Sequence, residues 1–228
     1  MQKVDAVRQT WHFLSALDPF WRLHQVIRTL LVPFQSVADH LPEHGTLLDL
    51  GCGNGVFLAL AKKAKPDLNL IGLDLSEDKI AAARQAFHAC TGKVPQLAVM
   101  DITDFPEQSV DVISIIDVLY LVPFERWNGI LAKCFRCLKP GGKVLIKEMD
   151  RSIAWKFLLL YLEETLAVKV LGLTLGSQFT FPKPEAIRQR LMCAGFEVEE
   201  MATHRGYFVP HHLWIGHRQR TPNAQIDC

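Results

Sequence analysis

Residues 45–55 read Gly-Thr-Leu-Leu-Asp-Leu-Gly-Cys-Gly-Asn-Gly, a short apolar run that ends in an acid and then places glycines at 51, 53 and 55. No other stretch constrains the fold as much. Glycine lets the backbone take positive φ and approach a ligand with no Cβ in the way. The run from Val56 to Ala64 can then start a helix whose unpaired N–H groups face that ligand. The pattern is a strand, a tight turn and a helix arranged around a nucleotide-type ligand.

A chain of 228 residues with 49% hydrophobic content can bury one sizeable core and is short for two. Lysine plus arginine number 25 against 24 acids, so the net charge of +1 gives no basic surface of the kind nucleic-acid binding requires. A small molecule is the expected partner. Cysteines at 52, 90, 134, 137, 193 and 228 lie in helical or loop-like segments with no secretory signal ahead of them. This predicts reduced thiols and a cytoplasmic protein. Cys134 and Cys137 form a Cys-x-x-Cys pair, but no second pair or histidine partner stands at zinc spacing. Ile130, Leu131, Cys134 and Leu138 recur at helical spacing, so Cys134 is expected to pack in a core, and no metal is expected.

Beyond the glycines, short apolar strands alternate with helical runs, the mark of βαβ units and a mostly parallel, doubly wound α/β sheet. Strands are predicted near 46–50, 69–74, 95–100, 110–116 and 143–149, and helices near 55–64, 77–90 and 124–137. Pro140-Gly141-Gly142 reads as a helix stop and turn before the fifth strand. A helix over 185–194 is followed by two apolar stretches, at Phe196 and Val198 and at 213–216, which are expected to pair as an antiparallel edge hairpin. Residues 1–42 are read as a helical cap over the ligand side. Residues 43–218 form the main domain, 151–182 a helical lid insert and 219–228 a tail. The runs 8–34 and 153–175 are apolar and edged by arginine or lysine. They are read first as extra core or pocket wall, and second as a face resting on a bilayer, since charges break them well short of a membrane span.

The residues beyond the turn decide which nucleotide it holds. A dinucleotide turn needs Gly-x-Gly-x-x-Gly, and here the third position is Val56; no Gly-Lys-Ser/Thr stands after it for a phosphate loop either. A nicotinamide oxidoreductase is therefore disfavoured. Asp74 ends the second strand about 20 residues after the glycines, where a carboxylate can accept both hydroxyls of a ribose. The plainer reading is an acid opening the turn that Ser76 caps. Asp101 and Ile102 close the third strand with an acid for an exocyclic amine beside an apolar face for an adenine ring, although Asp101 also fits a solvated strand end.

Taken together, Leu-Leu-Asp-Leu-Gly-Cys-Gly-Asn-Gly (47–55), Gly-Leu-Asp (72–74), Met-Asp-Ile (100–102), Val-Asp-Val-Ile-Ser-Ile-Ile-Asp-Val-Leu (110–119) and Leu-Lys-Pro-Gly-Gly-Lys-Val-Leu-Ile (138–146) resemble the successive motifs of class I S-adenosylmethionine-dependent methyltransferases. The resemblance covers residues 42–150 strongly and 183–218 as general topology. It implies a seven-stranded Rossmann-like sheet whose last strand is antiparallel. It implies S-adenosyl-L-methionine as cofactor and S-adenosyl-L-homocysteine as product. By similarity the cofactor would meet Asp49, Gly51 and Gly53 at its amino-acid end, Asp74 at the ribose, Asp101 and Ile102 at the adenine, and also Cys52, Leu75 and Asp117. Gly55 is expected to serve helix packing instead.

Methyl transfer asks the protein for alignment, exclusion of water and, where the acceptor is protonated, a base. Asp117 and Tyr120 after the fourth strand, and Glu148 at the end of the fifth, are the candidates by position. Their plainer readings are a turn cap for Asp117 and core packing for Tyr120. His12 and the pair His211-His212 are further candidate bases, with structural roles as the alternative. Nucleic-acid methyltransferases of this fold usually carry two prolines where this chain has Asp117-Val-Leu-Tyr120, which with the near-neutral charge leaves a small molecule as the expected acceptor, and the aromatic and aliphatic residues of 11–34 and 153–175 point to an apolar or aromatic one. The competing reading is a silent cofactor-binding module docked on a membrane or partner enzyme. The oligomeric state is not legible.

Overall fold

The computed structural model describes residues 2–149, 183–202 and 210–220. The insert expected at 151–182 and most of the tail lie outside these. Three helices come first: α1 (Gln2–Ala16), α2 (Pro19–Leu31) and α3 (Phe34–Ala38). Next come β1 (His44–Leu50), α4 (Val56–Ala64), β2 (Asp67–Asp74), α5 (Glu77–Thr91), β3 (Gln96–Val99) and β4 (Val110–Ile116). Two short 3₁₀ turns, Leu119–Leu121 and Phe124–Arg126, lead into α6 (Trp127–Cys137), β5 (Leu138–Met149), α7 (Pro184–Cys193), β6 (Glu197–Ala202) and β7 (His211–His217).

The strands form one sheet of seven in the order β3-β2-β1-β4-β5-β7-β6. The first five are parallel, and β7 runs antiparallel to both of its neighbours. The expected strand set and the antiparallel last strand are present. The expected antiparallel edge hairpin is present too: β6 takes the edge, and β7 joins it to the sheet by pairing with β5 on its other side. The chemistry of the two strands explains this. β7 buries Leu213, Trp214 and Ile215, whereas β6 carries exposed Glu197, Glu199 and Glu200, charges that suit a solvated edge. The fifth strand also begins earlier than predicted. Leu138 already pairs with Val110, and the Pro-Gly-Gly stretch is absorbed as an irregularity in the ladder, not as a free turn.

Local sequence sets the helix ends. The Asp18 carboxylate accepts from the N–H groups of Phe20 and Trp21, and Pro19 stands in the first turn, so α2 starts there. Ser76 caps α5, which stops at Gly92 with φ +65°. Gly55 has φ +78°, and a Cβ there would lie 3.0 Å from the Phe87 ring and 3.3 Å from Ala83. Glycine at this position lets α4 and α5 close on α1, whose Phe13 ring sits 4.7 Å from that of Phe87. Apolar clusters fill both faces of the sheet, one around Leu58, Ile80 and Leu145, the other around Ile113, Trp127 and Ile146. Cys134 packs in the second, as its spacing predicts. Cys52, Cys90, Cys134 and Cys137 are free thiols, but Cys193 is disulfide-bonded, a departure from the expected reduced state. No helix among the described residues is long and apolar enough to cross a membrane.

Candidate active site

The helix α2 is built inside out. Gln25 and Thr29 are buried, while Phe20, Leu23, Ile27 and Leu30 are exposed. Its polar side faces the carboxyl ends of the strands. Arg28 Nη2 donates to the Ile116 carbonyl at 3.3 Å, Gln25 Nε2 donates to Asn54 Oδ1 at 2.9 Å, and His211 Nε2 pairs with the Leu31 carbonyl at 2.9 Å. The cap thus lies over the glycine turn and the ends of β4 and β7.

Between α2 and the sheet is a narrow recess lined by Gln25, Arg28, Phe34, Asp49, Gly51, Cys52, Val56, Phe57 and Ile116. Asp49 is 2% exposed and accepts from Ser114 Oγ at 2.6 Å. Burial, reinforced by the charge of Asp74, pushes its carboxyl up to about 7 against the opposing pull of Ser114 and Arg28. Burial also pushes the Cys52 thiol up, so it is a wall and not a nucleophile at neutral pH. His24, one residue before Gln25, is lowered to about 4 by burial and by Arg28 and Lys79, and is neutral at physiological pH.

The glycine turn is held from two sides. The N–H groups of Gly51 and Cys52 both donate to the Leu73 carbonyl, at 2.7 and 2.9 Å. Gly53 N–H donates to Asp74 Oδ2 at 2.8 Å, and Ser76 N–H to Asp74 Oδ1 at 2.9 Å. A Cβ on Gly51 (φ +81°) would fall 2.3 Å from Val118 Cγ2, whereas one on Gly53 would meet only the Arg28 guanidinium, at 3.8 Å. Asn54 is buried, and its Nδ2 has no hydrogen-bond partner among the described residues. A carboxylate-bearing ligand fits these facts: Arg28 offers a cation, Asn54 Nδ2 an unpaired donor, Asp49 an acid for an ammonium group, and Gly53 open space.

At the neighbouring strand ends, Leu75 is 49% exposed beside Asp74. Asp101 Oδ1 accepts from Thr103 N–H at 2.8 Å. Ile102 is buried in the cluster with Leu50, Leu73 and Phe105. Asp117 has φ +54°, the one positive value outside glycine among the described residues. Its Oδ1 meets Nζ of the fully buried Lys147 at 2.5 Å, and its Oδ2 lies 4.0 Å from Arg28. Burial alone would raise Asp117, but Lys147, Arg28 and His211 outweigh it and hold the carboxyl below its ordinary value. Glu148 is 5% exposed, and burial with the nearby charge of Asp117 pushes it up to about 8, so it carries its proton at pH 7. Tyr120 is buried in the turn after β4. His12 is exposed on α1, and His212 Nδ1 lies 2.8 Å from Glu200 Oε1 on β6.

The family described as "Methyltransferase domain" matches residues 22–201. The chain belongs to this family. Its fold and motifs place it among the class I S-adenosylmethionine-dependent methyltransferases. The chain is 30% identical over 158 residues to a ubiquinone biosynthesis O-methyltransferase of Thiobacillus denitrificans, covering 68% of this chain and 66% of that protein. It is also 28% identical over 134 residues to a tRNA N(3)-methylcytidine methyltransferase of Schizosaccharomyces pombe, covering 54% of this chain and 44% of that one. The chain therefore spans between about half and two thirds of these relatives. Among solved structures, a cyclopropane synthase of Mycobacterium tuberculosis superposes with a TM-score of 0.66 at 14% identity, covering 90% of this chain and 93% of that one, a likeness of fold alone.

The sequence motifs do not single out Arg28, Gln25, Asn54, Ser114 and Lys147 as site residues. Two carried a faint signal, since Ser114 interrupts the apolar run 112–116 and Lys147 directly follows the apolar run 144–146.

Proposed function

We propose that this protein transfers a methyl group from S-adenosylmethionine to a small, apolar or aromatic acceptor. The recess under α2 carries the reading: it sets a cation, an acid and an unpaired amide around an open glycine turn. Arg28 and Asn54 would hold the cofactor's carboxylate, and Asp49, with Gly51, Cys52 and Gly53 beside it, its ammonium group. Asp74 has used one lone pair on each oxygen for Gly53 and Ser76, which leaves acceptor capacity for ribose hydroxyls. Leu75 would pack beside the nucleoside and Asp101 accept from the adenine amine. Ile102 would support that pocket from the core instead of covering the ring. When bound, the cofactor supplies an electrophilic sulfonium methyl.

The chain's own contribution is alignment and exclusion of water more than strong base catalysis. Asp117 is neutralised by Lys147 and would orient cofactor or acceptor, and Tyr120 would pack near them. A small acceptor is favoured over RNA by the net charge of +1, even though one relative acts on tRNA by name. An apolar one is favoured by Phe34, Phe57 and Ile116, which line the recess, and by the O-methyltransferase relative. The cap is proposed as the wall over this site, and contact of its outer face with a membrane belongs to the same proposal. Calorimetry with S-adenosylmethionine comes first, and absence of binding would overturn the whole reading. Incubation with labelled cofactor, a panel of phenols and quinols, and tRNA then tests the acceptor. Label in small products is expected; label confined to tRNA would overturn the acceptor class.

A further inference from the structure

We propose that Glu148 is a positioning residue: its buried carboxyl group shapes the turn after β4 so that Val118 seats against Gly51 and fixes the cofactor turn. This rests on the cofactor-binding reading above. Glu148 Oε1 accepts two consecutive backbone N–H groups, Val118 at 3.1 Å and Leu119 at 2.8 Å. The chain enters that turn through Asp117, whose left-handed φ of +54° is costly for a residue with a Cβ. Asp117 N–H donates to the Lys147 carbonyl at 2.9 Å and its carboxylate pairs with Lys147 Nζ. Neighbouring residues of β5 thus hold both halves of the turn, Lys147 the entry and Glu148 the exit.

The turn is also in contact with the ligand side. Val118 Cγ2 occupies the space where a Cβ on Gly51 would fall, at 2.3 Å, so the two residues interlock. Gly51 is simultaneously bonded to Leu73 at the end of β2, and Gly53 to Asp74. Displacing Val118 would therefore loosen one wall of the glycine turn while its bonds to β2 remain. A general base needs an ionised carboxylate turned towards the acceptor. Glu148 instead turns an oxygen to protein N–H groups, and burial keeps it protonated at neutral pH.

The two roles separate in Glu148→Gln, which keeps an oxygen acceptor and removes any base. Amide hydrogen exchange at 118 and 119, in the ligand-free protein, reads the turn directly, and calorimetry with S-adenosylhomocysteine reads the cofactor site. For Glu148→Gln, exchange within about threefold of wild type and retained turnover are expected. For Glu148→Ala, exchange at both amides should quicken at least about tenfold, with a comparable loss of affinity. Unchanged exchange and affinity in Glu148→Ala would overturn the proposal, as would a Glu148→Gln variant that binds normally but does not turn over. Should Glu148→Ala not fold, Glu148→Gln decides alone: preserved exchange and affinity support the role, and loss of either overturns it. Wild-type protein that binds no cofactor while the exchange pattern holds would sink the functional reading and leave the turn's architecture standing.

Discussion

The acid at the end of β1 sets up a conflict between stability and ligand binding that can be measured. Burial raises Asp49 from an ordinary 3.8 to about 7, so the folded protein holds this proton more tightly than the unfolded chain. Between these values the folded state binds more protons, and stability falls as pH rises through the window, then levels off above about 7. At 1.36 kcal/mol per tenfold difference in proton affinity, the full penalty is about 4 kcal/mol. Asp49→Asn removes it and keeps an oxygen for the Ser114 hydroxyl. The stability difference between variant and wild type should therefore grow by about 4 kcal/mol from pH 4 to pH 8, roughly 8–16 °C in Tm for a domain of this size. Thermal melts of the ligand-free proteins at pH 4.5, 6 and 8 give the comparison directly. The same variant should lose the pH dependence of cofactor binding, which in wild type tightens as Asp49 ionises to meet an ammonium group. A difference in Tm that stays constant across pH would refute the argument, because it would mean that Asp49 titrates alike in both states.

Arg28→Ala should weaken binding of S-adenosylmethionine by about 10- to 100-fold, the worth of a charged hydrogen bond, as read by calorimetry. A ligand lacking the carboxylate should bind both proteins equally. Gly51→Ala meets both Val118 and a φ of +81°, and should destabilise the protein by about 2–5 kcal/mol in denaturant melts. Adding Val118→Ala should recover the steric part and leave the backbone part. Asp74→Ala frees the N–H groups of Gly53 and Ser76 and should cut cofactor affinity at least about tenfold, seen by titration; unchanged affinity would remove its ribose role.

The sequence revealed elements held by local chemistry. The alternation of strand and helix is written in short-range periodicity, and the glycines at 51, 53 and 55 announce a left-handed turn whatever surrounds it. Even the separate duty of Gly55 was readable, since a helix start needs room against its neighbours. What escaped is made by residues distant in sequence. Ser114 reaches Asp49 across 65 positions, and Arg28 reaches Ile116 across 88. Lys147 could be noticed as a lysine directly after the apolar run 144–146, but its pairing with Asp117 comes from sheet order, which periodicity does not contain. The insertion of β7 between β5 and β6 escaped for the same reason, because a hairpin pattern says which strands pair and not what else flanks them.

That insertion gives the C-terminal strand a hold over chemistry made far upstream. Glu148 and Met149 pair with His212 and His211, and β6 touches the sheet through β7 alone. During synthesis, β5 emerges with one flank bare, and it stays so until residues 211–217 have been made. A nascent chain paused before that point carries the glycine turn, Asp74 and the three N-terminal helices, yet lacks the strand that completes the ladder beneath Lys147 and Glu148. Translation thus finishes the sheet from its far end, and a fragment ending before β7 would be an assembly intermediate instead of a smaller folded unit.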